Sequence, residues 1–264
     1  AAYKAAGESV EVPGKYFANN VGATARLLGA LGPAGVGHVV FSSTCAVYGT
    51  PRTLPVDEAH PTGPESPYGE SKLTVERMLP WFEAAHGLRS VSLRYFNAAG
   101  ASADSRIGED PRSSLNLVPV AMRAALGGDG LQVFGTDYPT ADGTAIRDYV
   151  HVDDLADAHH RALEYLEAGG ASTTLNLGTG TGSSVLDVIA ATKRVSGVDF
   201  RVDFAPRRAG DPVAVYADNR RATAVLGWSP RFDLDAIVTT AWRWHHSHPH
   251  GYGGVGDDRV GGSD

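Results

Sequence analysis

The chain has 264 residues, 42% hydrophobic and 20% charged; this composition excludes a disordered chain and provides enough length for one large domain or two modest ones. A formal net charge of −7 and a pI near 5.8 argue against a nucleic-acid partner, whose footprint is basic and clustered. No apolar run reaches membrane-spanning length, and the one cysteine, Cys45, excludes an internal disulfide and fits a reducing, cytoplasmic setting.

Residues 16–31 (YFANNVGATARLLGAL) place Phe17, Val21, Leu27, Leu28 and Leu31 at near-helical spacing, which predicts an amphipathic helix. The β-branched run HVVFSS, 38–43, predicts a buried parallel strand. A proline-rich loop, PRTLPVDEAHPTGPESP, leads to a helix running from Tyr68 to about His86. Ser66 suits its N-cap, Pro67 its first position, and Gly87 its stop. VSLRYF, 91–96, is the next strand. Strand, helix, strand in this order is the pattern of an α/β fold with a doubly wound parallel sheet. Ligands of such sheets lie outside the carboxyl ends of the strands, where FSSTCAVYG and RYFNAAG leave them.

Residues 1–100 therefore read as one doubly wound α/β region. From Ala101 the texture changes to loop, then a short helix over 117–126, a strand at LQVFG, a turn-rich hairpin at TDYPTADGT and a strand at RDYVHV. A helix capped by Asp153 follows, then strand LNLG, helix SSVLDVIAATKRVSG and strand FRVDFA. DNRRATAVLG and DLDAIVTTAWRWHH predict two further helices. These elements make 101–250 a smaller α/β substrate domain, some of whose segments return to the first, and 251–264 a flexible glycine-rich tail.

Tyr68 and Lys72 are four apart and stand one above the other on a helix face. A free phenol titrates near about 10, but an adjacent ammonium and the positive helix end both favour the phenolate. The spacing thus predicts an acidified phenol that takes a proton from a hydroxyl while hydride leaves the same carbon. Ser42, Ser43 and Thr44, where a strand becomes a loop, are candidates to hydrogen-bond that hydroxyl and pass its proton on. Cys45 has no nearby histidine and no nucleophile elbow, so it is not read as a nucleophile. Gly178, Gly180 and Gly182 in LNLGTGTGSSVLDV have G-x-G-x-G spacing, which reads as a tight structural turn and not a dinucleotide site. Arg147, Arg207 and Arg208 are candidate anion clamps. The four histidines of WRWHHSHPHGY are irregularly spaced in a stretch expected to be mobile, so no metal site is read there. His151, His159 and His160 are read as packing or surface residues.

Taken together and in order, NNVGAT, FSSTCAVYG, SPYGESK, LRYFNAAGA, IGEDP, FGTDYPTADGTAIRDYVHVDDLADAH, NLGTGTG, RRAGD and LGW resemble the extended short-chain dehydrogenases/reductases, from about Lys4 to Tyr252. Within them the pattern is most similar to the nucleotide-sugar epimerases. The related dehydratases place an Asp-Glu pair after the loop threonine, where Cys45 and Ala46 stand here. The resemblance implies redox-neutral inversion of a UDP-hexose, interconverting UDP-galactose and UDP-glucose through a 4-keto sugar with tightly held NAD. Thr44, Tyr68 and Lys72 would be catalytic; Lys4, Asn19 and Phe96, with Tyr68 and Lys72, would contact NAD. Asn97, Asn116, Leu117, Phe134, Arg147, Arg208 and Asp211 would hold the UDP-sugar, together with Thr44. Val215 falls where the family controls access for bulkier N-acetylated sugars and leaves that specificity open. Members commonly dimerise through helices that here are 16–31 and 68–86, so a homodimer is expected.

One departure is marked. The family's first strand, its G-x-x-G-x-x-G turn and an acidic ribose ligand do not precede Ala1, and Lys4 matches a position just after the fourth strand. The resemblance implies that 1–100 is the carboxyl-terminal half of an NAD-binding Rossmann domain and 101–250 the UDP-sugar-binding domain, and the expectation is a chain without the adenosine-binding half of its cofactor site, binding NAD poorly alone. A non-catalytic sugar-nucleotide-binding module is the alternative, as is an epimerase for UDP-GlcNAc, UDP-glucuronate or UDP-xylose.

Overall fold

A computed structural model describes residues 2–112, 114–208 and 210–252. The chain opens with two short helices, α1 (Ala6–Glu11) and α2 (Pro13–Tyr16), then a π-helical stretch (Phe17–Ala23) that runs into α3 (Thr24–Leu31). The single regular helix expected over 16–31 is thus corrected. Its wider π turns rotate the apolar positions, leaving Phe17 and Leu27 exposed while Tyr16, Asn20 and Leu28 are buried. Asn20 accounts for the shift, since its Nδ2 donates to Ser71 Oγ (3.1 Å) and to the Tyr3 carbonyl (3.0 Å).

Strand β1 (His38–Thr44) pairs in parallel with β2 (Arg89–Tyr95), the crossover being α4 (Pro67–His86). Ser66 caps α4, accepting from Gly69 N at 3.2 Å, Pro67 occupies its first turn, and Gly87 ends it in the left-handed conformation. Gly69 is required by closeness: a β-carbon there would strike the Ala46 carbonyl of the turn Cys45–Val47. The first turn of α4 can therefore lie against the end of β1.

The remaining elements are β3 (Asn97–Ala99), α5 (Leu117–Ala125), β4 (Leu131–Phe134), β5 (Ile146–Arg147), β6 (Tyr149–His151) and α6 (Val152–Glu167). They continue with β7 (Thr173–Leu177), β8 (Ser183–Ser184), α7 (Val185–Ser196), β9 (Val202–Ala205), β10 (Ala214–Val215), α8 (Arg220–Leu226) and α9 (Leu234–Ser247). The strand order β1-β2-β7 is all parallel, so the chain returns to the first sheet at 173–177 after leaving it at 95. Helices cover both faces. Leu28, Leu79 and Leu88 pack on the α3/α4 side, while Leu155, Ala158, Ala162, Leu166, Ala222 and Leu226 pack on the α6/α8 side. α5, α7 and α9 build a second core against the parallel pair β4-β9.

The strand expected over RDYVHV is broken at Asp148. β5 pairs with β8 and β10, whereas β6 pairs with β3. The cap of α6 moves from Asp153 to His151, whose Nδ1 accepts the Asp153 N–H at 3.0 Å. The break has a use. The fully buried Asp148 carboxylate accepts from Thr179 N (2.8 Å), Thr179 Oγ1 (2.6 Å), Gly180 N (3.2 Å) and Ala217 N (3.1 Å). Burial nevertheless pushes its carboxyl above the ordinary range. The glycine turn at 178–182 is thus a structural turn filled by the chain's own anion, and a β-carbon at Gly178 would collide with that carboxylate.

The terminal histidine run is corrected as well. α9 extends through Ser247, His245 is buried and His248 stacks on Trp244 at 4.0 Å. Of the expected tail, 253–264 lie outside the described residues. Asp148→Ala should cost about 3 kcal/mol or more, because it strands buried donors; urea unfolding followed by circular dichroism measures the loss.

Candidate active site

The carboxyl end of β1 and the first turns of α4 bring Thr44, Tyr68 and Lys72 together. Thr44 is 7% exposed; its hydroxyl accepts from Ala46 N at 3.2 Å, and its side chain acts on the buried Tyr68 phenol to favour the phenolate. Lys72, 8% exposed, donates from Nζ to the Ser42 carbonyl at 2.9 Å and lies 5.0 Å from the Phe41 ring centre. The backbone N–H of Tyr68 is held by Ser9 Oγ at 3.1 Å.

These contacts correct the expected acidified phenol. Burial pushes Tyr68 up to about 12, Thr44 opposing the rise and Tyr95, Cys45 and Tyr16 adding to it. Lys72 aims its ammonium at a carbonyl, and burial lowers it to about 8. Desolvation is the dominant influence, so the ligand-free phenol keeps its proton at neutral pH.

Of the three candidate hydroxyls only Thr44 faces Tyr68. Ser42 Oγ is bonded to His159 Nε2 at 2.8 Å, and Ser43 Oγ donates to Glu76. Burial pushes the Cys45 thiol up to about 12, an inert state.

The expected cofactor residues divide. Asn19 lies in the π-helical stretch, its Nδ2 donating to Asn20 Oδ1 at 3.1 Å. The Phe96 ring is only 6% exposed and packs with Val47, Tyr48, Leu73 and Val215. Exposed Lys4 pairs with Glu109 Oε1 at 2.8 Å. That same oxygen accepts from Asn116 Nδ2 (3.1 Å) and Ser114 Oγ (2.7 Å). Glu109 thus joins an expected cofactor residue to an expected substrate residue, a link that only three-dimensional proximity shows.

The other substrate candidates form two pairs. Arg208 lies 3.7 Å over the Phe134 ring centre, and Arg147 Nη2 reaches Asp211 Oδ1 at 3.4 Å. Arg147 is anchored further by the carbonyls of Ile146 (2.8 Å) and Pro212 (2.9 Å), and pairs across β5–β10 with buried Val215. Arg207 turns away to Asp137 and the Tyr138 ring. Asn97 donates its N–H to the Asp148 carbonyl at 2.9 Å, and Leu117 opens α5. Among the described residues no group of three histidine, cysteine or acidic side chains could hold a metal, and no helix is long and apolar enough to cross a membrane.

The donor set fits the nicotinamide-ribose end of a dinucleotide. An ammonium has three N–H bonds, one of which is taken here by the Ser42 carbonyl. Among the described residues the glycine turn that opens α7 is closed to a pyrophosphate by Asp148.

The model of the NAD dependent epimerase/dehydratase family matches residues 1–178. A UDP-glucose 4-epimerase of Lacticaseibacillus casei is 48% identical over 255 residues, covering 96% of this chain and 77% of that protein. A crystal structure of UDP-glucose-4-epimerase from Stenotrophomonas maltophila, with bound NAD and formylated UDP-arabinopyranose, superposes with a TM-score of 0.91 at 44% identity. It covers 94% of this chain and 75% of that one. The enzyme from Bifidobacterium longum, in complex with NAD+ and UDP, gives 0.89 at 40% identity, covering 96% of this chain and 76% of that one.

The buried ammonium sets a stability prediction. The folded pKa of Lys72, about 8, lies below its ordinary 10.5, so the folded state binds fewer protons than the unfolded state between those values. Stability therefore rises with pH across that window. Lys72→Met should be more stable than the parent at pH 7, by up to about 3 kcal/mol. The gap should close between pH 8 and 10.5, as urea unfolding at each pH reads.

Proposed function

Because the chain belongs to the NAD dependent epimerase/dehydratase family, we propose that it inverts C4 of a UDP-hexose, interconverting UDP-galactose and UDP-glucose with NAD. The observation that carries the reading is the gathering of Thr44, Tyr68 and Lys72 at the carboxyl end of β1, where the Lys72 ammonium is held on the Ser42 carbonyl and Thr44 acts on the Tyr68 phenol. A hydroxyl lying between Thr44 and Tyr68 can lose its proton to the phenolate of Tyr68, directly or through the threonine. Regaining that proton returns the hydroxyl once the sugar has turned. Burial keeps the proton on the phenol in the ligand-free chain, so forming the phenolate needs a cation close by. Bound NAD supplies the hydride acceptor and a positively charged ring, the further cation that the buried phenol needs.

Lys4, Asn19, Tyr68, Lys72 and Phe96 are assigned to the cofactor. Asn97, Asn116, Leu117, Phe134, Arg147, Arg208 and Asp211 are assigned to the UDP-sugar, with Thr44 at the reacting hydroxyl. Arg208 stacked on Phe134 keeps the edge of its guanidinium for an anion, and Arg147 offers a second fork. In this assignment the residues that grip the nucleotide are charged and braced, whereas those at the hexose are few, as needed for a sugar that turns over in place. The first sheet is assigned to the cofactor and the α5/α7/α9 region to the sugar nucleotide. A cytoplasmic location is in keeping with the single cysteine.

Tyr68→Phe should lower conversion of UDP-galactose to UDP-glucose by at least about a thousandfold. UDP binding by calorimetry should stay within about threefold of the parent. Both are measured with added NAD, on the chain and on a version extended to the length of its relatives. A Phe variant that turns over normally would defeat the assignment.

The assembly is proposed to be a homodimer through α3 and α4. Leu27 and Trp81 on these packed helices are 57% and 76% exposed, an apolar surface that a second copy would cover. Trp81→Glu should convert a dimer into a monomer in sedimentation velocity; a monomeric parent would sink the proposal.

A further inference from the structure

Glu76 sits one helical turn beyond Lys72, so positions 68, 72 and 76 share a face of α4. Its carboxylate receives Arg94 Nε at 3.0 and 3.1 Å and Arg94 Nη2 at 2.5 Å, with side chains only 7% and 9% exposed. Ser43 Oγ, next to Thr44, donates to the same carboxylate. Arg94 Nη1 donates to Tyr48 Oη at 2.9 Å, and Tyr48 donates in turn to Asn176 Oδ1 at 2.7 Å. Asn176 Nδ2 is fixed by the Val56 carbonyl at 2.9 Å. One buried ion pair thus joins the helix of Tyr68 and Lys72 to the ends of β1, β2 and β7 and to the segment just after Thr44.

We propose that Glu76 and Arg94 are positioning residues, which keep Tyr68 and Lys72 in register with Thr44 while showing no net charge to the Lys72 ammonium. The word positioning rests on the epimerase reading; the charge balance does not. Opposite charges bonded side by side cancel at a distance, whereas either alone would act on Lys72 through a poorly screened interior. Consistent with that balance, burial is the sole cause of the lowered Lys72 pKa. Tyr68 stands one turn before Lys72 on the same helix face, His159 of α6 bonds the Ser42 hydroxyl whose residue carbonyl holds the Lys72 ammonium, and Tyr95, Cys45 and Tyr16 act on the Tyr68 phenol. On the loop side Tyr48 accepts from Arg94, and Glu58 accepts the Asn176 N–H beyond it.

The test follows Lys72 by NMR in chain carrying 13Cε-labelled lysine, only four of which occur: Lys4, Lys15, Lys72 and Lys193. Glu76→Gln leaves Arg94 unbalanced and should lower the Lys72 midpoint by about one pH unit; Arg94→Met leaves Glu76 unbalanced and should raise it by about as much. The double variant Glu76→Leu/Arg94→Met should return it to near the parental value. Each variant, loaded with NAD, should lose about tenfold or more in kcat while KM for UDP-galactose changes less than about twofold. A midpoint that stays put in both folded single variants, or moves the same way in both, overturns the charge balance. Should the single variants not fold, the double variant decides: parental kcat overturns the positioning role, and a tenfold loss at unchanged KM supports it. The Lys72 titration needs neither cofactor nor turnover, so failure of the epimerase reading would leave its outcome intact.

Discussion

A lysine ammonium buried against the last turn of a strand is the constraint around which the site is arranged. Lys72 can reach the Ser42 carbonyl because the crossover between two parallel strands must begin where the first one ends. That topology delivers the amino-terminal turn of α4 to the end of the sheet where ligands bind. Gly69 lets the turn approach the backbone after Thr44 without a β-carbon in the way. The hydroxyl, phenol and ammonium thus meet through rigid elements, with no loop needed to bring them together.

Two charges elsewhere use the same logic for a different end. Asp148 breaks a strand and places its carboxylate in a glycine turn whose N–H groups point inward. A turn of that shape binds anions, and here the anion is covalently part of the fold. The consequence reaches Arg147, the residue before it, which is fixed between the Ile146 and Pro212 carbonyls on the broken strand. Filling the glycine turn internally thereby fixes the position of the neighbouring Arg147.

Much of this was legible from the sequence because it depends on local chemistry. Ser66-Pro67 and Gly87 bound α4 as their caps require, and the G-x-G-x-G spacing correctly read as structural. Periodicity failed over 16–31, where Asn20 reaches Ser71 and Tyr3 and the backbone widens into π turns. Spacing also placed Lys72 on the face of Tyr68 without revealing where the ammonium ends up. That depends on the Ser42 carbonyl, contributed by a strand thirty residues earlier. Glu76, Arg94, Tyr48 and Glu109 were missed for the same reason: each is an ordinary polar residue whose partner is distant in sequence. The helix through His246 was legible from its pattern, whereas the burial of His245 within it was not, since it depends on packing.

The phenol of Tyr68 makes the energetic logic plain. Burial holds it near 12 and Lys72 near 8, a pair tuned toward neutrality in both members. Such a pair disfavours separated charge when the site holds nothing else, so the tyrosine keeps its proton. A positively charged group arriving next to the phenol reverses the balance, since a cation in a low-dielectric site acts far more strongly than in water. The same desolvation that raises the phenol in the ligand-free chain therefore magnifies the effect of the incoming charge. Burial here makes the base conditional on its partner, and an exposed tyrosine with the same spacing would be neither so silent nor so responsive.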